Sequence, residues 1–326
     1  MKMNTLSSYR VLFWVSMFST AIAVTSLYVV DQRLDFAVKN IGDPRSFDPH
    51  RLSESRDVNY PFTIEVYGYK YQGTSGNYID DEILAYGAYE KNVLYFMRDY
   101  VRARNNPDAV FLDVGANTGQ HSLFMARHVR RVHAFEPYPP VAERFRQMIQ
   151  LNGFSNIILH EVGLGKEEAF VPFFAPPDEN LGGGTFLAEH ANAYAKGPVK
   201  PTTNFRVVVG DKWLEQSQVS SIELIKIDVE GYEQYVLIGL SSTLARDRPV
   251  VVVEVSPPPS GTIGSLDQLK KLLPDGYKFL HFDPDRGFEI KGGYKLTELS
   301  SLAGGLGYEM VVAYPKEREP SIPLGR

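Results

Sequence analysis

Val110-Phe111-Leu112-Asp113-Val114-Gly115-Ala116-Asn117-Thr118-Gly119 is the stretch on which the fold turns. Val110, Phe111, Leu112 and Val114 are apolar, as in a strand buried on both faces. The strand runs into Gly115-x-x-x-Gly119, and Ser122-Leu123-Phe124-Met125-Ala126-Arg127 then reads as a helix. Strand, glycine turn and helix in that order let backbone approach a bound nucleotide, with a helix N-terminus close by. Seventeen residues past Gly119, Glu136 ends a second apolar strand, Val132-His133-Ala134-Phe135. A carboxylate there can accept hydrogen bonds from both hydroxyls of a ribose. Together the two features predict an enzyme with a nucleoside-bearing cofactor.

The glycine spacing narrows the choice. A dinucleotide fingerprint, G-x-G-x-x-G, needs closely set glycines so that backbone can hug a pyrophosphate. Here the spacing is wider, and the acidic Asp113 opens the loop. A carboxylate at that strand end repels a pyrophosphate but suits the cationic amino group of S-adenosylmethionine. The loop therefore favours a methyltransferase over a nicotinamide-dependent oxidoreductase.

Outward from this stretch, strand and helix patterns alternate from residue 109 onward, the sign of a parallel α/β sheet. Strands are predicted near 110–113, 132–135, 157–162, 222–228 and 250–255, with two final strands at 277–282 and 308–313. Helices are predicted near 120–127, 140–152, 234–239 and 266–273. Residues 165–205, with Pro176-Pro177 and Gly182-Gly183-Gly184, show no strong period and read as a substrate-side insertion. Before the core, Phe62 to Tyr71 alternates toward a turn at 73–76, where a β-hairpin is predicted, and 80–102 carries helical spacing that Gly87 divides. Residues 11–30 are twenty uncharged, largely apolar positions, about 30 Å as a helix and enough to span a bilayer core. A cleavable signal is the competing reading, but the run exceeds a usual apolar region of about 7–15 residues, and no convincing A-x-A site follows. The expected plan is a tail 1–10, a single-pass membrane anchor 11–30, a polar linker 31–59, a capping segment 60–108, a core domain 109–315 and a tail 316–326. Basic residues flank both sides of the anchor, so the positive-inside rule assigns no side to the core domain.

A second constellation closes the core. Ile222-Glu223-Leu224-Ile225-Lys226-Ile227-Asp228-Val229-Glu230-Gly231-Tyr232-Glu233 is an apolar strand whose end gathers Lys226, Asp228 and Glu230 before a glycine turn. Strand alternation sends these three to one side, at the carboxyl end where open α/β sheets place ligands. Glu254 ends another apolar strand, 250–253, and is a fourth candidate.

These motifs carry a resemblance to the FkbM-type family of S-adenosylmethionine-dependent methyltransferases. It rests on Phe111-Leu112-Asp113-Val114-Gly115-Ala116-Asn117-Thr118-Gly119-Gln120-His121-Ser122, on Ala134-Phe135-Glu136-Pro137, and on Ile225-Lys226-Ile227-Asp228-Val229-Glu230-Gly231-Tyr232-Glu233. The resemblance implies a class I, Rossmann-like fold: a seven-stranded, mostly parallel sheet flanked by helices, here preceded by the transmembrane helix. It also implies S-adenosylmethionine as cofactor and O-methylation of a hydroxyl on a sugar, glycan, lipid or other small natural product. On this reading Asp113 lies near the methionine ammonium, Gly115, Ala116, Asn117 and Gly119 form the loop, Glu136 holds the ribose, and Glu161 or Val162 borders the adenine. Asp228 positions or deprotonates the acceptor hydroxyl, with Glu230 and Glu254 as alternates. His121 is a further possible base. A divalent ion could sit between the three carboxylates, but they alone do not establish a metal site.

Composition excludes other classes. A net charge of −5 lacks the basic footprint of a nucleic-acid binder. Cysteine is absent, which removes disulfides, thiolate metal sites and cysteine nucleophiles. No Asn-x-Ser/Thr acceptor occurs. Besides the oxidoreductase, a membrane-tethered module that binds the cofactor without catalysis is the remaining alternative. Nothing in the sequence specifies an oligomeric state.

Overall fold

The computed structural model describes residues 60–177, 180–256, 258, 261–284, 291–302 and 309–325. Among them no helix is long and apolar enough to cross a membrane. The expected anchor 11–30 and linker 31–59 lie outside the described residues.

The described chain begins with an antiparallel hairpin, β1 (Pro61–Val66) and β2 (Tyr69–Thr74). It reverses at Tyr67 and Gly68, with φ of 49° and 77°, and not at 73–76 as the glycines there suggested. Two successive left-handed residues match the twist of a tight hairpin. Helix α1 (Tyr78–Tyr86) ends at Gly87, whose N–H bonds the Ile83 carbonyl at 2.8 Å, and α2 (Lys91–Arg104) follows.

Next come β3 (Val110–Val114), α3 (Gln120–Met125), β4 (Arg131–Phe135), α4 (Pro139–Asn152) and β5 (Ile157–His160). The expected insertion is not structureless. β6 (Gly163–Gly165), β7 (Ala169–Phe173) and β8 (Thr203–Val209) make a separate three-stranded sheet, with α5 (Ala188–Tyr194) between the last two. The chain continues through α6 (Gly210–Gln216), β9 (Ile222–Ile227), α7 (Glu233–Gly239), α8 (Ser241–Asp247), β10 (Val250–Val255) and α9 (Leu266–Lys271). It finishes with β11 (Tyr277–Phe282), β12 (Leu296–Glu298), β13 (Glu309–Pro315) and a 3₁₀ turn, Lys316–Ser321.

The main sheet has the order β12-β11-β13-β10-β9-β3-β4-β5. Strands β10, β9, β3, β4 and β5 run parallel, and β13 is antiparallel to both β10 and β11. This is the class I methyltransferase-like α/β arrangement, with eight strands where seven were expected. The addition is β12, a three-residue edge strand on β11 that is too short to show an alternating pattern.

Apolar packing fills both faces of the sheet. Val110, Leu112 and Val114 pack with Ile225, Ile227, Val251 and Val253 on one face. Phe111, Leu224, Val250 and Val252 pack with Phe96 and Met97 of α2 on the other. Strand alternation then places Asp113, Lys226 and Glu254 on that second face. From β3 the chain steps outward to β4 and β5, and later returns on the opposite side as β9 and β10. The boundary between β3 and β9 is thus a topological switch point, where open α/β sheets form their ligand crevice.

Candidate active site

A cavity of about 480 Å³ opens over the carboxyl ends of β3, β4, β9 and β10. That volume lies within the range of small-molecule sites. Its floor is the loop between β3 and α3. Gly115 has φ 81°, and a Cβ there would lie 1.7 Å from the Asp228 carbonyl oxygen, so only glycine lets the β3 and β9 loops touch. Gly119, at φ 89°, is packed against the Phe145 ring, 2.0 Å from where a Cβ would stand. The N–H groups of Gly115 and Ala116 both donate to the Phe135 carbonyl at 3.0 Å, which fixes the loop to β4. From the far side, Tyr71 of β2 contacts the Thr118 hydroxyl at 3.0 Å and donates to Asp80 at 2.8 Å. The N-terminal hairpin is therefore a brace for the glycine loop.

At one end of the cavity stands Glu136, 8 % exposed. Its two oxygens accept the N–H groups of Asn117, at 3.0 Å, and Tyr138, at 2.9 Å. Burial raises the Glu136 carboxyl to about 7, helped by the Asp113 charge and opposed by those two N–H donors. Val162 and Phe135 supply apolar wall beside it. Glu161, the other candidate at this position, is absent from the wall. It leaves the sheet on the outer side and pairs with Arg146.

Asp113 also departs from expectation. It is fully buried and does not line the cavity. One oxygen accepts the Ser122 hydroxyl of α3 at 2.6 Å, because alternation turns the side chain beneath the loop. The other oxygen has no hydrogen-bond partner. Its charge acts from there on Glu136 and on Lys226.

At the opposite end the structure brings together Asp228, Glu230 and Glu254, whose oxygens lie within 4.8 Å of one another. Alternation alone does not produce this cluster. Strand β9 stops at Ile227, and Glu230 adopts φ 53°, which turns the chain back. The turn is pinned from three sides. Glu233 accepts the N–H groups of Val229 and Gly231, at 3.1 and 3.0 Å. Thr185 donates to the Glu230 carbonyl at 2.7 Å, and Thr262 to that of Gly231 at 2.9 Å. Lys226, 2 % exposed, places its ammonium 2.7 Å from Asp228. Burial opposes a charged lysine, but the Asp228, Glu90 and Asp113 carboxylates overcome this and hold it protonated. Burial would likewise raise Asp228, yet the Lys226 ammonium holds it below the ordinary carboxylate range. Glu254 moves the other way. Burial, and then the charges of Asp228, Glu230, Glu233 and Glu90, push it well above the ordinary carboxylate range. Glu230 is raised by burial, with its partner His190 opposing from 3.0 Å.

Two of these partners were not legible as site residues. His190 lies on α5, inside the segment without a sequence period, and Glu90 lies before α2 at φ 49°. Glu90 faces His121 Nε2 at 3.3 Å, and His121 itself lines the cavity. The remaining wall comes from the insertion, including Asn180, Gly182 and Phe186.

The description of the family model that matches residues 113–290 is methyltransferase FkbM domain. The chain belongs to the FkbM methyltransferase family. It carries a methyltransferase domain, and S-adenosylmethionine is that domain's cofactor. Methyltransferase 1 of Beauveria bassiana is 31 % identical over 147 residues, 41 % of this chain and 59 % of that one. The 2-O-methyltransferase NoeI of Sinorhizobium fredii is 27 % identical over 164 residues, 46 % of this chain and 65 % of that one. The hexuronic acid methyltransferase AglP of Haloferax volcanii is 28 % identical over 145 residues, 44 % of this chain and 55 % of that one. In each case the match spans less than two thirds of the relative's length. Among solved structures, an FkbM methyltransferase from Methylobacillus flagellatus KT aligns at TM-score 0.40 and 18 % identity, covering 71 % of this chain and 50 % of that one.

The residues present fit the cofactor. Glu136 is a buried carboxylate served by only two backbone donors, and ribose hydroxyls would add the donors that favour its charged form. Apolar surface for an adenine adjoins it, and the other end of the cavity is rich in carboxylates, which suits a ligand carrying positive charge.

Proposed function

We propose that this FkbM-family protein methylates a hydroxyl group of a sugar. The observation that carries the proposal is the division of one cavity into two chemically distinct ends, Glu136 with Val162 at one and Asp228 with Lys226, Glu230 and Glu254 at the other. They follow β4 on one side and β9 and β10 on the other. β4 and β10 are three strand spacings apart, about 14 Å. That separation leaves room for a nucleoside at one end and an acceptor at the other. The hexuronic acid methyltransferase AglP supports a sugar-type acceptor, and the 2-O-methyltransferase NoeI supports transfer to oxygen. So do the rings of Tyr138, Phe173, Phe186 and Tyr194, which give the cavity apolar faces against which a pyranose can lie.

When bound, S-adenosylmethionine supplies an electrophilic methyl group on a sulfonium. Glu136 anchors the ribose, Val162 and Phe135 flank the adenine, and the loop of Gly115, Ala116, Asn117 and Gly119 shapes the floor beneath them. Asp228 accepts the hydrogen bond of the acceptor hydroxyl and thereby aims its oxygen. Because Lys226 lowers its basicity, Asp228 leaves the hydroxyl protonated at first and receives the proton at Oδ once C–O bond formation has made it acidic. Glu254, raised by burial among these carboxylates, and Glu230, braced by His190, set the position of Asp228. Holding the reacting atoms about 3 Å apart in this cavity supplies much of the rate.

The test is incubation of the full chain with S-adenosylmethionine and a panel of methyl hexopyranosides, read by mass spectrometry. A product heavier by one methylene, formed with one equivalent of S-adenosylhomocysteine, is the expected result. Tight cofactor binding without transfer to any hydroxyl compound would refute it.

A further inference from the structure

We infer that the acceptor brings no negative charge into the cavity: it is a neutral or amino sugar, and not a uronic or phosphorylated one. This rests on the sugar O-methylation reading and gives it a substrate class. Among the described residues that line the cavity, Lys226 is the one lysine or arginine, against the carboxylates of Glu136, Asp228, Glu230 and Glu254. An anionic acceptor needs a cation free to meet it, and recognition of carboxylate or phosphate usually recruits arginine for its paired donors. Lys226 is not free. Its side chain is 2 % exposed, and its ammonium is engaged with Asp228 at 2.7 Å. Of the wall histidines, His190 lies 3.0 Å from Glu230, and His121 Nε2 makes no hydrogen bond but lies 3.3 Å from a Glu90 carboxylate oxygen, which would balance any charge on its ring.

Counting protons leaves the conclusion in place. Let Glu254 be neutral and His190 charged beside an ionised Glu230. Lys226 and His190 then only balance Asp228 and Glu230, and no positive charge is left over for an anion. Neutral hydroxyls meet no such obstacle, since carboxylates accept their hydrogen bonds. A sugar ammonium would gain a partner in Glu230, whose side chain is 27 % exposed. The inference separates this chain from AglP, a hexuronic acid methyltransferase.

The experiment measures binding, which needs no turnover. The full chain, saturated with S-adenosylhomocysteine, is titrated by saturation-transfer NMR with methyl α-D-glucopyranoside, its 2-amino-2-deoxy analogue and methyl α-D-glucopyranosiduronate. The expected order is amino sugar at least as tight as neutral sugar, with the uronate weaker on the order of tenfold or more, as like charges a few ångströms apart in a protein cavity require. In Glu230→Gln the advantage of the amino sugar should shrink several-fold. A uronate that binds as tightly as the neutral sugar overturns the inference. So does binding of none of the three while S-adenosylhomocysteine remains bound, a result that leaves the methyltransferase reading intact. Failure to bind S-adenosylhomocysteine would overturn that reading and this inference together.

Discussion

Cofactor affinity should depend on pH through Glu136, and the dependence can be worked from the site. The ligand-free carboxyl is raised to about 7 by burial, while ribose hydroxyls must donate to its ionised form. Binding therefore selects the carboxylate, and affinity falls as pH falls. For a group of pKa about 7, the apparent Kd exceeds its limiting value by a factor of about 11 at pH 6, 2 at pH 7 and 1.1 at pH 8. The change from pH 8 to pH 6 is about tenfold, or about 1.4 kcal/mol. At pH 7 binding should release about 0.5 proton. Isothermal calorimetry in buffers of different ionisation enthalpy reads both quantities. Glu233 is also raised to about 7, so Glu136→Gln is the necessary control. It should weaken binding at pH 8 and flatten the pH dependence to within about twofold. An affinity unchanged between pH 6 and pH 8, or a slope that survives in Glu136→Gln, would refute the assignment.

Three further outcomes are expected. Asp228→Asn should lower kcat by about 10²- to 10⁴-fold, the usual worth of a positioned proton acceptor, while cofactor Kd stays within a few-fold; equal loss of both in steady-state and binding assays would make Asp228 a structural residue. Glu233→Gln keeps an Oε1 acceptor for Val229 and Gly231 and removes a carboxyl whose folded value of about 7 lies above its ordinary 4.5. That raised value contributes stability below pH 4.5 and loses it as pH rises through 7, so above 7 the charged form costs about 3 kcal/mol. The variant should accordingly melt higher than wild type at pH 8 and not at pH 4.5, and an equal shift at both would contradict the cause given. Finally, the apolar run 11–30 should hold the full chain in the membrane fraction, and deleting residues 1–59 should release it on centrifugation.

How much of this was legible depended on what pattern each element leaves. Strands β3, β9 and β10 are buried on both faces, so each is an apolar run that stands out unaided. The glycine loop and Glu136 were legible because strand–turn–helix geometry fixes their spacing. The choice between Glu161 and Val162 was open because both follow β5 and opposite faces differ by one residue; the outward one meets Arg146. Asp113 shows the limit of reading a motif without its neighbours. Its position at the strand end was right, but the hydroxyl of Ser122 draws the carboxylate under the loop. Glu90 and His190 left no local signal at all, since each matters only through a partner distant in sequence, His121 and Glu230. The small sheet of the insertion escaped for a related reason. β6 is only three residues long and pairs with β8, some forty positions later.

The charges of the site form one system. A buried ammonium is tolerable only when paired and hydrogen-bonded, and Lys226 meets that condition through Asp228. Asp228, Glu230 and Glu254 nonetheless crowd more carboxylates into this end than one lysine neutralises. The surplus is eased by the upward shift of Glu254 and by His190 beside Glu230. At the far end Glu136 repeats the theme, a carboxylate raised because it is buried with too few donors. A cavity in this condition is poorly satisfied while empty and gains when a ligand brings positive charge and hydroxyl donors. S-adenosylmethionine brings both, with its sulfonium, its ammonium and its ribose. The same raised carboxyls that weaken the empty fold above neutral pH therefore provide the driving force for cofactor binding, a trade of stability for function placed at the active site. Lys226 is what keeps the trade local. Replacing it by methionine would leave Asp228 without its cation and should cost about 3–5 kcal/mol in the empty protein, the usual result of removing one partner of a buried pair. If the site works as one system, saturating S-adenosylmethionine should recover part of that loss in the Lys226→Met variant, and it should stabilise the variant by more than it stabilises wild type in thermal melts. An equal gain in the two proteins would mean that the ligand's charge does not reach this end of the cavity.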